Sequence, residues 1–218
     1  MPVLEYIDSM WDGIHMMCKT YGYNKDIKYL ECFIYSCLVI IPKPFDGYLS
    51  AAKKWIDKNK ISRSYPPKWA TDEINSGLFS WSIDLHLYLD KKYKLVDEKE
   101  RITGETLCAK YEVKNLFKDV WGPALWRVIH LAPLIIDDDD ETKFKTHSYK
   151  ALMSCLQIVL PCPVCRVHFR KNLPKIMIDD YIHSPRGLFL WSVAMHNEVN
   201  SSLNKKIYTV DEALSLYN

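Results

Sequence analysis

An all-α protein built as two similar helical halves is what this sequence predicts, and three observations predict it. Glycine is scarce, 7 in 218 residues, while Leu, Ile, Met and aromatic side chains recur at the three- and four-residue spacing that makes one apolar helix face. Residues 77–86 match residues 187–196 at six of ten positions without a gap, keeping Gly77, Leu78, Phe79, Trp81, Ser82 and His86 as Gly187, Leu188, Phe189, Trp191, Ser192 and His196. The likeness then extends outward in the same order along the chain. Trp11, Ile14 and His15 fall on Trp126, Ile129 and His130, Ser36-Cys37-Leu38 on Ser154-Cys155-Leu156, and Pro42 and Pro44 on Pro161 and Pro163. Lys91-Lys92 with Val96-Asp97-Glu98 fall on Lys205-Lys206 with Val210-Asp211-Glu212. Collinear self-similarity of this kind points to duplication.

Each helix follows from apolar periodicity and the breakers around it. The first, near 3–20, follows Pro2 and stops before Gly22. The second, near 26–41, ends ahead of Pro42, and the third, near 45–58, begins after Pro44. The fourth, near 71–90, carries the repeated block. A polar linker, 97–118, contains Gly104, a helical stretch over 105–117 and Cys108. In the second half a helix near 121–136 ends at the acidic run Asp137 to Asp140, a solvated loop. The next, near 142–160, ends at Pro161, and a shorter one, near 162–173, ends before Pro174. A helix near 185–204 repeats the block of the fourth, and a short last helix occupies 210–217. The chain thus divides into 1–96, the linker 97–118, and 119–218.

Composition removes several classes of function. Lys and Arg number 29 against 27 Asp and Glu, a net charge of +2 with no basic stripe, so neither nucleic acid nor a membrane surface is an expected partner. The N-terminal residues lack the charged and apolar regions of a secretion signal, and no window reaches about 18 apolar residues, so a soluble chain is expected. Seven cysteines, an odd number without framework spacing, argue against a disulfide-stapled scaffold.

The chemistry gathers at Pro161-Cys162-Pro163-Val164-Cys165. A Cys-x-x-Cys pair serves as half of a zinc site, as a redox couple, or as nothing in particular. No second such pair exists, and a zinc set of Cys162, Cys165, His168 and His183 suffers from the wide separation of its histidines, so no metal is expected. Redox use leads, because Pro161 favours a helix start and a helix N-terminus stabilises the thiolate. Upstream stand Trp121-Gly122-Pro123-Ala124-Leu125-Trp126-Arg127-Val128-Ile129-His130. Downstream, the thiol helix runs on through His168-Phe169-Arg170 to Leu173, and a third block is His196-Asn197-Glu198-Val199-Asn200-Ser201-Ser202-Leu203-Asn204-Lys205. Trp126 and His130 lie one turn apart, which by itself suits core packing as well as a cofactor.

The three blocks in this order resemble the Erv/ALR family of FAD-dependent sulfhydryl oxidases, over about residues 121–205. The resemblance implies that each half is a four-helix bundle, the C-terminal one binding FAD and carrying a short fifth helix. It implies FAD contacts from Trp121, Gly122, Trp126, His130, Trp191, His196, Asn197, Val199, Asn200, Leu203, Lys205 and Tyr208, and catalysis by Cys162 and Cys165. A protein substrate dithiol would attack the outer sulfur, Cys162, leaving Cys165 as the thiolate beside the flavin. Two electrons would pass to FAD and then to molecular oxygen, giving hydrogen peroxide.

The first half departs from the pattern. It has Lys43 and Asp46 at the redox position, and from His86 to Lys91 it is four residues shorter than from His196 to Lys205, so the Asn-x-Val-Asn segment is missing. It reads as a degenerate copy that keeps the fold. The resemblance implies that it supplies, within one chain, the partner surface of a family dimer, forming a pseudo-dimer; a homodimer of pseudo-dimers is a further association it permits. The two-bundle layout is similar to baculoviral sulfhydryl oxidases, which implies a viral protein of the host cytoplasm or nucleus and the virion, where a cellular one would work in the mitochondrial intermembrane space. No shuttle pair of cysteines is recognisable beyond the lone Cys108, with Cys18 undecided. Cys37 and Cys155 read as buried free thiols and Cys32 as core. The alternative from another class is a non-catalytic helical scaffold with an inert disulfide.

Overall fold

The computed structural model describes residues 2–21, 25–43, 45, 47–69, 76–93, 103–111, 118–139 and 141–217. Among these, all regular structure is helical: α1 (Pro2–Thr20), α2 (Ile27–Ile40), α3 (Gly47–Lys58), α4 (Ser76–Tyr93), α5 (Gly104–Lys110), α6 (Lys118–Ile135), α7 (Thr142–Val159), α8 (Pro163–Asn172), α9 (Pro185–Ser202) and α10 (Val210–Ser215). Two 3₁₀ turns, Leu173–Lys175 and Ile178–Asp180, join α8 to α9. Each half is therefore four helices and a short fifth.

The ends of the helices have local causes. Cys162 is not the first helical residue of α8 but its N-cap, in extended conformation, with Sγ accepting the Cys165 N–H at 3.1 Å. The expected helix to 204 stops at Ser202, because Asn204 takes the left-handed conformation (φ 53°) and the Lys205 N–H turns back onto the Asn200 carbonyl at 2.9 Å. Residues 71–75, 94–102 and 112–117 lie outside the described residues, and with them parts of the expected 71–90 and 105–117 helices and the Val96-Asp97-Glu98 pairing. Gly77 and Gly187 recur for one reason: the carbonyls of Arg63 and Tyr181 stand where a Cβ would be.

α1 packs along α6 and α2 along α7, joining the halves through one apolar core, while α4 and α9 close each half against α1 and α6. Gly13 lets the seam close, since a Cβ there would meet Leu125 Cδ2 at 3.2 Å. Cys18, Cys37 and Cys155 are buried in this core, and burial raises the thiol pKa of each. Cys32 corrects the expectation of a core thiol: it is exposed. Five residues separate it from Cys37, nearly one and a half turns, so the two point to different sides of α2.

Candidate functional site

In the second half, α6 and α9 hold a chain of hydrogen bonds whose direction can be worked out. Ser192 Oγ donates to the Phe189 carbonyl of its own helix at 2.6 Å, which uses its only proton. It must therefore accept from His130 Nδ1–H, 2.8 Å away. Neutral His130 is left with a lone pair on Nε2, which accepts from His196 Nδ1–H at 2.9 Å. Both tautomers are thus fixed, and His196 Nε2 remains a bare acceptor. Trp126 lies flat on His196, ring centroids 3.8 Å apart and planes 4° from parallel. Burial, reinforced by His196, lowers the His130 pKa to about 3, and burial with Lys205 nearby lowers that of His196 to about 4.

Beside this relay opens a cavity of about 390 Å³, walled by His130, His196, Asn197 and Asn200 and by the segment carrying Lys205, Tyr208 and Tyr217. Asn197 shapes the wall. Its Nδ2 donates to the Tyr208 carbonyl at 2.7 Å and its Oδ1 accepts the Tyr208 N–H at 3.0 Å, pinning the segment to α9. Asn200 is only 6% exposed, yet its carboxamide has no partner among the described residues. A buried amide is rarely left unpaired, so this carboxamide is available to whatever occupies the cavity. Lys206 pairs with Glu212 at 3.0 Å, while the Lys205 ammonium has no carboxylate partner among the described residues. An orphaned amide, a bare imidazole acceptor, an aromatic stack and rim cations suit a ligand with flat, hydrogen-bonding and anionic parts.

Other expected contacts lie elsewhere. Trp191 is fully buried, donates Nε1–H to the Ile176 carbonyl at 2.9 Å and packs edge-on against Tyr149. Trp121 is buried in the core, Gly122 faces open space where a Cβ would stand, and Val199 and the exposed Leu203 are absent from the cavity wall. Cys162 and Cys165 form a disulfide at the N-terminus of α8, which packs on α7 and α9, and they are not part of that wall. Val193, Ala213 and Leu216 also line the cavity without having been expected, and two polar residues at the site escaped the sequence reading. Ser192 had a signal, its identity with Ser82 in the repeat; Tyr217, whose ring is 5.6 Å from His130, had none.

The first half repeats the relay and seals it. Ser82 donates to the Phe79 carbonyl at 2.7 Å, His15 Nδ1 meets Ser82 at 2.8 Å and His15 Nε2 meets His86 Nδ1 at 2.9 Å, with Trp11 stacked on His86. Here His86 Nε2 finds Asp90 Oδ2 at 3.3 Å. Burial and the charge of Asp8 raise the Asp90 pKa to about 7, and burial lowers that of His86 to about 3, so below about pH 7 both are neutral and the contact is not an ion pair. Asp90 stands one turn after His86 as Asn200 does after His196. Trp11 Nε1 is committed to the buried Tyr48 hydroxyl at 2.9 Å, and Tyr48 packs on Tyr93. α5, capped by Thr103 and trailed by Tyr111 against His15, corresponds to α10, capped by Thr209 and trailed by Tyr217 against His130.

Comparison with known proteins falls on the second half. The Erv1 / Alr family model matches residues 123–217. The FAD-linked sulfhydryl oxidase of African swine fever virus (isolate Pig/Kenya/KEN-50/1950) is 34% identical over 99 residues, spanning 44% of this chain and 79% of that protein. The chain belongs to the Erv1/Alr family. Other relatives include a probable FAD-linked sulfhydryl oxidase of Acanthamoeba polyphaga mimivirus, 32% identical over 97 residues, 43% of this chain and 66% of that protein. A putative one of Frog virus 3 is 25% identical over 99 residues, 44% of this chain and 65% of that protein. No solved structure matches. The Erv1/Alr match encloses the disulfide, relay and cavity, and stops short of the first half. Among the described residues no group of three or more His, Cys, Asp or Glu is placed to hold a metal, and no helix is long and apolar enough to cross a membrane.

Proposed function

We propose that this chain is an FAD-linked sulfhydryl oxidase that makes disulfides in protein substrates through Cys162 and Cys165, with molecular oxygen as the final acceptor. The observation that carries the reading is the cavity wall, where buried Asn200 is unpaired beside the Trp126–His196 stack and Lys205. Asn200 and His196 Nε2 are the groups to hold the cofactor's hydrogen-bonding edges, Lys205 its pyrophosphate, and Asn197 keeps the wall in place. When bound, FAD takes two electrons from a dithiol and passes them to dioxygen as hydrogen peroxide.

The protein's own part is thiol exchange. A substrate thiolate attacks Cys162 Sγ, forming a mixed disulfide and breaking the Cys162–Cys165 bond, so Cys165 leaves as thiolate. Cys165 is the third residue of α8 after the cap, where the first turn's N–H groups favour that charge. The second substrate thiol then displaces Cys162, and the enzyme is left with two electrons as a dithiol. The first half, 1–96 with the α5 segment, is proposed as a degenerate copy whose tyrosines fill the corresponding space, and the two halves as a pseudo-dimer. The matched relatives are viral, and a viral protein acting in host cytoplasm or nucleus and in the virion is the reading that follows.

The test is the visible spectrum of the purified protein with FAD counted per chain after denaturation. One FAD per chain is expected; two would reinstate the first half as a site, and a colourless protein that refuses added FAD would end the oxidase reading. Cys165→Ser should keep FAD and lose dithiothreitol-dependent oxygen uptake by at least about a hundredfold, the scale of removing a redox nucleophile.

A further inference from the structure

Just ahead of the disulfide, the Leu160 carbonyl gathers cations from both halves of the molecule. Arg166, in the first turn and a half of α8, donates from Nη1 to it. Lys25, from the segment between α1 and α2, places Nζ 3.5 Å from the same oxygen. Arg170, a turn further along α8, donates from Nη2 to the Gln157 carbonyl at 2.9 Å. All three are held by main-chain carbonyls, and none has a carboxylate partner among the described residues. The crowding is felt by the lysine: burial first, then Arg166 and Arg170, lower its pKa to about 8. On the same helix Val164, between the two cysteines, and Val167, just beyond them, are 62% and 60% exposed.

A surface with exposed valines beside the reactive bond and, just ahead of it and on the same helix, cations with no carboxylate partner among the described residues is complementary to a specific kind of chain. We propose that Lys25, Arg166, Arg170, Val164 and Val167 form the docking surface for a dithiol-bearing polypeptide segment whose cysteines are flanked by apolar and acidic side chains. The first half thereby takes part in choosing the substrate of the second, through Lys25. This rests on the sulfhydryl oxidase reading. Covering the valines removes apolar surface from water, and the cations attract the segment's carboxylates, speeding encounter and setting its orientation. The same positive field favours the substrate's thiolate, the form that attacks Cys162.

The experiment uses the full-length, flavin-loaded protein with dithiothreitol and two reduced peptides that share one Cys-x-x-Cys core and apolar neighbours, one flanked by Glu and the other by Lys. The readout is the ratio of kcat/KM for the two peptides, taken on the same protein sample so that any general loss of activity cancels. The Glu peptide should win by roughly tenfold at low salt, carried mainly by KM, with the advantage shrinking as salt is raised. Lys25→Glu and Arg170→Glu should each cut the ratio roughly three- to tenfold. A ratio near one in the unaltered protein, or one unmoved by both reversals, would overturn the proposal while leaving the oxidase reading intact. Failure to oxidise dithiothreitol would remove the oxidase reading and this proposal with it.

Discussion

At the scale of single residues, the relay histidines and Asp90 make opposite demands on protons. His15, His86, His130 and His196 are all held neutral with lowered pKa by burial, His86 and His130 to about 3 and His196 to about 4. Unfolded histidines take up protons near pH 6.5, so the unfolded chain holds more protons below that value and stability falls as the solution is acidified from about pH 6.5 towards 4. Asp90 has the reverse sign. Its folded pKa, about 7, lies above the usual 3.8, so the folded state holds the extra proton and its contribution fades as pH rises to 7. Asp90→Asn keeps the shape of this buried side chain without a proton to lose. The variant should melt about 2–4 °C higher than the parent at pH 8, with the advantage vanishing towards pH 4. Melting curves across that range decide it: an advantage independent of pH would mean that Asp90 does not hold the extra proton. Asn200, the residue at the same place in the second half, already has the carboxamide, and there it is free for a ligand.

Among elements, the α10 cap shows how a short helix serves a site it barely enters. Thr209 Oγ1 accepts the Glu212 N–H at 3.2 Å, Glu212 Oε2 accepts the Thr209 N–H at 2.8 Å, and Ala213, Leu216 and Tyr217 of this turn complete the cavity wall. Removing the cap by Thr209→Ala should cost about 1 kcal/mol of local order. Because α10 lies at the edge of the fold, the expected outcome is weaker FAD retention by roughly fivefold in a titration, with the main melting transition nearly unmoved. Most of the helices were legible in the sequence from their apolar spacing and from a Pro, Gly or acidic run at one end, and the repeat was legible because Trp, Ser and His of the relay recur at fixed helical spacing. The kinship of α5 with α10 was not. Thr103 with Thr106 and Thr209 with Glu212 build the same cap from different residues, and only the approach of Tyr111 and Tyr217 to equivalent histidines reveals it. Trp191, an FAD contact by resemblance, recurs as Trp81, and its indole N–H is spent on a backbone carbonyl in both halves.

For the whole molecule, the seam pairs each helix with its own counterpart, α1 with α6 and α2 with α7. An isologous two-fold interface makes that kind of pairing between identical subunits, and here the two surfaces sit in one chain. Among the described residues polar contacts across it are few, Glu5 with Arg127 at 3.7 Å, Lys25 with the Leu160 carbonyl and the thiols of Cys32 and Cys155, so apolar burial holds the halves together. Residues 119–218 produced alone would leave the α6 and α7 faces that pack on α1 and α2, Leu125 among them, open to water. Patches of that kind are covered by association. If the seam is a dimer interface carried within one chain, the isolated second half should appear in light scattering as a dimer that binds one FAD per subunit. Adding back the first half as a separate chain should convert it to a one-to-one complex, since α1 and α2 carry the partner surface shaped for it, including the Gly13 contact with Leu125. A second half that stays monomeric and fully stable would show that the first half is an appendage and not a built-in partner.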